Sequence, residues 1–215
     1  MSAPSSRQDV LASLNVSRET AERLSAYVDL LKRWQTRINL VAASTVDDIW
    51  SRHILDSAQL LAIAQKDARR WVDLGTGAGL PGAVLAILLA DRPGAEVHLV
   101  EANQKKAAFL AEAVRITRAP AKVYADRIER IVGLAVDECD VVTARALAPL
   151  PDLLRLSSPL LMKGAQGLFL KGRDVEAELT EAAKSWTMRA ELFPSQTDSS
   201  GRIVSVTVLA PRLAN

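Results

Sequence analysis

Asp73, Gly75, Gly77 and Gly79 occupy alternate positions in W-V-D-L-G-T-G-A-G-L-P-G, and this spacing is the part of the chain best suited to chemistry. Alternating glycines allow backbone with positive φ and leave no Cβ to hold a ligand off the main chain. Trp71 and Val72 lead into the carboxylate as the end of a strand, and Pro81 suits the first turn of a helix over 83–89. Strand, tight turn and helix at the carboxyl end of a parallel sheet form the place where open α/β sheets hold nucleotide-like ligands.

Two registers overlap in this loop. Gly77, Gly79 and Gly82 satisfy G-x-G-x-x-G, the dinucleotide fingerprint, while Asp73 with the three alternating glycines gives D-x-G-x-G-x-G. In a dinucleotide site the helix N-terminus faces a pyrophosphate, and an acid at the strand end would confront that anion. The carboxylate of Asp73 instead suits a ligand carrying an ammonium group, as the methionine moiety of S-adenosylmethionine does. Glu101 closes the next apolar run at the roughly 20-residue distance of an acid that grips ribose hydroxyls, which both registers want. The plainer alternative is a glycine turn beside a solvated strand-end glutamate.

Elements of alternating type must position these residues. Leu24, Tyr27, Val28, Leu31, Trp34 and Ile38 recur at helical spacing over 17–38, with Ser17 as N-cap. A second helix is expected from Thr45, capped together with Asp48, through Ile49, Ile54 and Leu60. Residues 1–68 thus read as a helical extension packed on the core, and 69–215 as the ligand-binding domain. In that domain strands are expected at 97–100, 121–125, 141–144 and 167–170, with helices at 105–116, 153–161 and 175–185. Such alternation implies an α/β fold with a doubly wound, mostly parallel sheet. The runs 190–193 and 203–209, joined by P-S-Q-T-D-S-S-G, predict a C-terminal antiparallel hairpin that closes it.

D-L-G-T-G-A-G-L-P-G, V-E-A-N-Q-K-K-A-A-F-L and T-A-R-A-L-A, preceded by W-Q-T-R-I-N-L-V and H-I-L-D-S, resemble the bacterial small-subunit ribosomal RNA methyltransferase G family, also called glucose-inhibited division protein B. The resemblance runs from about Tyr27 to Val208, and G-L-P-G and R-H-I-L-D-S are its most specific marks. It implies a Rossmann-like S-adenosylmethionine-dependent methyltransferase that methylates guanine N7 in the conserved hairpin near the decoding site of 16S rRNA, alone or within the 30S subunit. It also implies that Gly75 and Leu80 line the methionine and ribose portion of the cofactor, that Glu101 binds the ribose, that Ile128 and Glu129 flank the adenine, and that Arg145 closes the pocket on the target side. Gln35 departs from the asparagine usual after the family's tryptophan, and the tail R-I-V-S-V-T-V-L lacks the family's closing lysine.

Guanine N7 presents an in-plane lone pair and no proton, so its attack on a sulfonium methyl needs position rather than a general base. The lack of an evident His/Asp or cysteine nucleophile set therefore agrees with an enzyme, and weighs for N7 over carbon-5 chemistry. Arg145 and Arg127 are the candidate catalytic residues. Arg145 follows the fourth apolar run, where a guanidinium could grip a phosphate or the guanine O6 edge; a surface arginine ending a strand fits the pattern equally well. For Arg127, a pair with Glu129 or Asp126 would account for the residue without RNA. Lys163, Lys171 and Arg173 are candidate RNA contacts, Lys171 foremost because it directly follows a strand. His53, beside Asp56, is expected to be a hydrogen-bonded structural residue, and Trp34 a core residue.

Composition sets the outer bounds. The 215 residues are 49% hydrophobic, enough for one α/β domain with an extension, and the net charge is +2. A lone Cys139 and two histidines exclude a disulfide framework and make a metal site unexpected. The lone cysteine suits a reducing cytoplasm and no apolar run approaches the length of a bilayer span, so a soluble cytoplasmic protein is expected; it is also expected to be a monomer. Two other readings remain open: an NAD-dependent oxidoreductase using the G-x-G-x-x-G register, and a non-catalytic ribosome-assembly factor that keeps the fold as an RNA-docking surface.

Overall fold

The computed structural model describes Pro4 and residues 6–212. The chain opens with α1 (Arg7–Leu14) and α2 (Arg18–Gln35). The Ser17 side chain caps α2 by accepting from the Thr20 N–H, and Leu24, Tyr27, Val28 and Leu31 form its buried stripe. This helix ends at Gln35 rather than at 38, because the Gln35 carboxamide turns back to accept from the N–H groups of Leu40 and Val41 and to donate to the Val41 carbonyl. α1 leaves no trace in the hydrophobic pattern because Val10 is its one buried residue.

The expected helix from Thr45 is replaced by something less regular. A 3₁₀ turn (Ala43–Thr45) precedes a π-helical stretch (Trp50–Leu55), which runs into α3 (Asp56–Ala58) and α4 (Leu60–Ile63). Thr45 caps nothing here: its hydroxyl donates to the Ala42 carbonyl at 2.8 Å and meets His53 Nε2 at 2.8 Å. π-Helical turns of this kind concentrate at functional sites.

The remainder alternates strand and helix: β1 (Arg70–Leu74), α5 (Gly82–Leu88), β2 (Glu96–Val100), α6 (Gln104–Thr117), β3 (Ala121–Tyr124), α7 (Ile128–Ile131), β4 (Val141–Arg145), α8 (Leu150–Leu161), β5 (Gln166–Lys171), α9 (Val175–Ser185), β6 (Trp186–Pro194) and β7 (Arg202–Pro211). The single turn of α7 is too short to carry a period that sequence could reveal. The seven strands lie in the order β3-β2-β1-β4-β5-β7-β6. The first five are parallel, and the hairpin of β6 and β7 runs antiparallel, with β7 inserted beside β5.

Burial on the two faces follows the period of two expected of a strand. Trp71, Val97, Leu99 and Val141 face a core shared with α2, α5 and α6, whereas Val72, Leu74, Val142 and Ala144 face one built with α8 and α9. Helices therefore cover both faces, as the sequence pattern implies. The α2 stripe enters the first core directly, with Tyr27 and Trp34 packed against Phe109 of α6 at ring-centroid distances of 6.2 and 5.7 Å. Trp34 thus packs as a partly buried core residue.

Candidate active site

All five parallel strands end on one edge, and the loops there carry the glycine segment, Glu101, residues 126–129, Arg145 and Arg173. The glycine segment turns sharply because Gly75, Gly77 and Gly79 take φ of 60°, 58° and 88°. Each occupies the left-handed region that side chains avoid. A Cβ on Gly77 would meet nothing nearer than the Gly75 carbonyl at 3.8 Å, so its open side faces space a ligand can enter. Gly82, by contrast, is squeezed: a Cβ there would fall 2.6 Å from Asp73 Cβ and 2.4 Å from a Leu99 methyl.

Asp73 differs from expectation. Its carboxylate is 1% exposed and is held inside the protein, accepting from the Gly82 N–H at 2.9 Å and from the Thr143 hydroxyl at 2.7 Å. Thr143 reaches it because the two residues are register partners on the adjacent parallel strands β1 and β4. With both oxygens occupied in this way, Asp73 shapes the glycine loop from beneath instead of presenting itself to an ammonium group. Burial pushes its carboxyl up to about 6, against the opposing pull of those hydrogen bonds and of Arg145.

Glu101 stands immediately beyond β2 and is half-buried. One oxygen accepts from the Gly77 N–H at 2.9 Å and the other from the Asn103 N–H at 2.7 Å. The acid is thereby clamped against the open side of the glycine loop. Asn103 in turn caps α6 by accepting from Lys105 and Lys106. Ile128 and Glu129 lie in α7, just past the end of neighbouring β3, Ile128 half-buried and Glu129 exposed. Arg127 precedes them as the N-cap residue; Asp126 pairs with Arg130 at 3.3 Å, and Arg127 has no ion-pair partner among the described residues.

On the other side of the loop stands Arg145, whose side chain is 23% exposed. Its Nη2 donates to the Arg52 carbonyl at 3.1 Å and its Nη1 lies 3.4 Å from Asp56 Oδ2. Asp56 also accepts from Thr197, at 2.6 Å, and from Gln59, at 2.8 Å, so it ties the helical extension to the β6–β7 turn as well as to Arg145. Leu80, Arg145, His53 and Thr45 share the wall of a cavity of about 300 Å³. A second cavity of about 260 Å³ adjoins the first through Arg145 and is walled by Arg52, Lys171, Thr197 and Arg202.

The cations proposed from sequence separate in space. Arg173 is exposed on the ligand-binding edge. Lys171 reaches that edge, but its ammonium is already neutralised: it lies 2.7 Å from Glu178 and donates to the Ala148 carbonyl, with a side chain only 10% exposed. Lys163 follows α8 and precedes β5, which puts it on the opposite, amino edge of the sheet beside Asp137. The cluster seen in sequence is thus split by β5, which runs from Lys163 on one edge of the sheet to Lys171 and Arg173 on the other, and of these three only Arg173 is an exposed cation on the ligand-binding edge.

Sequence reasoning missed Tyr27 and Thr143. Tyr27 is a fully buried residue of α2 whose hydroxyl donates to the Ala78 carbonyl of the glycine loop at 2.6 Å. Nothing local distinguishes it from its neighbours on the apolar stripe. Thr143 could have been found from the motif, as a polar residue inside an otherwise apolar strand adjoining the one that carries Asp73.

A parallel sheet with a reversed terminal hairpin, and a glycine loop held between a buried and a half-buried acid, define a Rossmann-like S-adenosylmethionine-dependent methyltransferase fold. An O-methyltransferase from Bacillus cereus in complex with SAH is similar at a TM-score of 0.61 and 14% identity, covering 94% of this chain and 96% of the other. A SAM-dependent methyltransferase from Aquifex aeolicus gives a TM-score of 0.58 at 14% identity, over 84% of this chain and 98% of the other. The chain belongs to the rRNA small subunit methyltransferase G family, whose model matches residues 20–202. The ribosomal RNA small subunit methyltransferase G of Methylorubrum populi is 54% identical over 204 residues, 95% of this chain and 96% of that one. The protein of the same name from a Bradyrhizobium species is 56% identical over 196 residues, covering 91% and 88%.

Proposed function

We propose that this protein transfers a methyl group from S-adenosylmethionine to N7 of a guanine in 16S rRNA, in the hairpin near the decoding site, acting as a cytoplasmic monomer on the 30S subunit or its RNA. The observation that carries this reading is the convergence on one sheet edge of a ligand-ready glycine loop, the clamped Glu101 and the half-buried Arg145. The residues present fit the cofactor: open space above Gly77 admits it, and Glu101 stands where ribose hydroxyls would replace or join the Gly77 and Asn103 amides. Ile128 and Glu129 would flank the adenine, and Gly75, Gly79 and Leu80 the methionine end, over a floor shaped by Asp73.

When bound, S-adenosylmethionine supplies a methyl carbon on a sulfonium, and as the N7 lone pair bonds to that carbon the carbon–sulfur pair stays on sulfur. N7 carries no proton, so the protein's task is to hold the base in line, which is an orientation effect. The surroundings agree with that economy. Asp73 is enclosed, His53 is held neutral by burial and by the nearby Arg145 and Arg52, and Cys139 lies ahead of β4 on the opposite edge. Arg145 would orient the target guanine by donating to its O6 edge, or grip the neighbouring phosphate, which holds N7 in line with the methyl carbon. Arg127, exposed at the cofactor side, would contribute an RNA contact.

Incubating the purified protein with methyl-labelled S-adenosylmethionine and either 30S particles or naked 16S rRNA, then locating the modified nucleotide by mass spectrometry, tests the proposal. An N7-methylated guanine is expected, together with binding of S-adenosylhomocysteine and none of NAD. Arg145→Ala should lower turnover about 100-fold while leaving S-adenosylhomocysteine affinity within a few-fold. Label elsewhere than guanine N7, binding of NAD alone, or no transfer to either substrate would overturn it, the last favouring an RNA-docking role.

A further inference from the structure

His53 and Arg145 both line the 300 Å³ cavity between the helical extension and the glycine loop, and each carries a buried polar atom that the protein itself leaves unused. His53 Nδ1 and Arg145 Nη1 are buried, and neither has a hydrogen-bond partner among the described residues. Arg145 Nη1 faces Asp56 at 3.4 Å as an ion pair, which keeps the guanidinium in place without satisfying its hydrogens. The chemistry of His53 Nδ1 follows from the other side of the ring. Thr45 has one hydroxyl hydrogen, and it points to the Ala42 carbonyl at 2.8 Å, so the Thr45 oxygen accepts from His53 Nε2. A neutral ring protonated at Nε2 has a bare acceptor at Nδ1. Burial first, then Arg145 and Arg52, lower the His53 pKa to about 4, so the ring stays in this form at neutral pH.

The cavity wall therefore includes one side chain with an unused acceptor and one with an unused donor, which a small side-chain rotation would bring to a ligand, beside the apolar residues Leu40, Val41, Leu80 and Ala146. Guanine has the complementary pair on adjacent atoms: O6 accepts and N1–H donates. Adenine has them reversed. Burying polar groups without partners is costly, so a base that pairs both is favoured over one that pairs neither.

We infer that His53 is a specificity-determining residue, accepting the N1–H of a guanine flipped into this cavity while Arg145 donates to its O6. The inference rests on the proposed guanine-N7 reaction and adds to it the group that reads the base. Holding the base by O6 and N1 leaves N7, on the other flank of O6, free of hydrogen bonds and available to the methyl donor. Flipping a base into such a pocket is how enzymes that modify bases reach their target atom.

The test uses 16S rRNA ligated to carry guanosine, inosine or 2,6-diaminopurine riboside at the methylated position, as free RNA and in reconstituted 30S subunits. All three bases have N7; inosine keeps O6 and N1–H, and diaminopurine reverses them. The wild type should use inosine within about tenfold of guanosine and reject diaminopurine by at least a hundredfold. His53→Phe, which keeps a ring and removes the acceptor, should lower kcat/KM for guanosine and shrink the rejection of diaminopurine at least tenfold, with S-adenosylhomocysteine affinity unchanged. Thr45→Val, which leaves His53 in place and frees its tautomer, should shrink the rejection by a smaller factor and serves if His53→Phe does not fold. Wild-type use of diaminopurine within tenfold of guanosine overturns the inference without recourse to any variant. So does an undiminished preference in a folded His53→Phe or Thr45→Val protein. Failure of the wild type to methylate guanosine at all overturns the proposed reaction, and this inference with it.

Discussion

The Tyr27 hydroxyl of α2 donates to the Ala78 carbonyl of the glycine loop at 2.6 Å, inside the core and across 51 residues of chain. The helical extension therefore holds one side of the loop, while Glu101 holds the other through the Gly77 N–H. Removing the donor would leave a buried carbonyl unsatisfied, at a cost of about 1–2 kcal/mol. Tyr27→Phe should lower stability by that amount in chemical denaturation and weaken S-adenosylhomocysteine binding about fivefold by calorimetry. Unchanged affinity would show that the loop keeps its shape without the extension.

Two glycines of the same loop should fail for different reasons. Gly77 has φ of 58° and open space at its Cβ position, so Gly77→Val combines a backbone strain of about 1–2 kcal/mol with a side chain standing where a ligand would lie. Its S-adenosylhomocysteine affinity should fall at least 100-fold, with a modest drop in melting temperature. Gly82→Ala forces a Cβ against Asp73 and Leu99 and should instead show its main loss in the melt. Equal thermal losses in the two variants would contradict this division.

Burial of Asp73 makes stability depend on pH. Its carboxyl is raised from 3.8 to about 6, so the folded state binds the proton more tightly than the unfolded chain. The contribution is largest at or below pH 4 and is lost as pH rises through about 6, amounting to about 3 kcal/mol across that window. Asp73→Asn removes the titration. The stability of wild type minus that of the variant, measured by denaturation from pH 4 to 7.5, should decline over the window and then level. A flat difference would mean that the carboxyl is not held up by its surroundings.

The three cations proposed for RNA should separate experimentally. Arg173→Ala should weaken rRNA binding and reduce the slope of log affinity against log salt by about one. Lys163→Ala should alter neither, because that side chain lies on the opposite edge of the sheet. Lys171→Ala should cost about 2 kcal/mol of stability by leaving Glu178 without its buried partner. Filter binding across a salt series and denaturant titration would measure both quantities.

Much of this protein lies in short-range pattern. Alternating glycines after an apolar run define the turn at 75–79, because their φ values are a property of residues a few positions apart. Strand and helix alternation likewise specifies the sheet and the reversed hairpin at its end, since one turn-rich segment between two apolar runs suffices. What local pattern could not carry was partnership. Asp73 has the same sequence context whether its oxygens meet a ligand or Thr143 and Gly82, and Lys171 looks free until Glu178 of the following helix folds back to it. His53 and Arg145, 92 positions apart, share a cavity only because the irregular helical extension packs over the end of β4. Spacing along the chain determines which groups can turn toward the sheet edge; packing between distant segments decides which are consumed by neighbours and which are left without a partner.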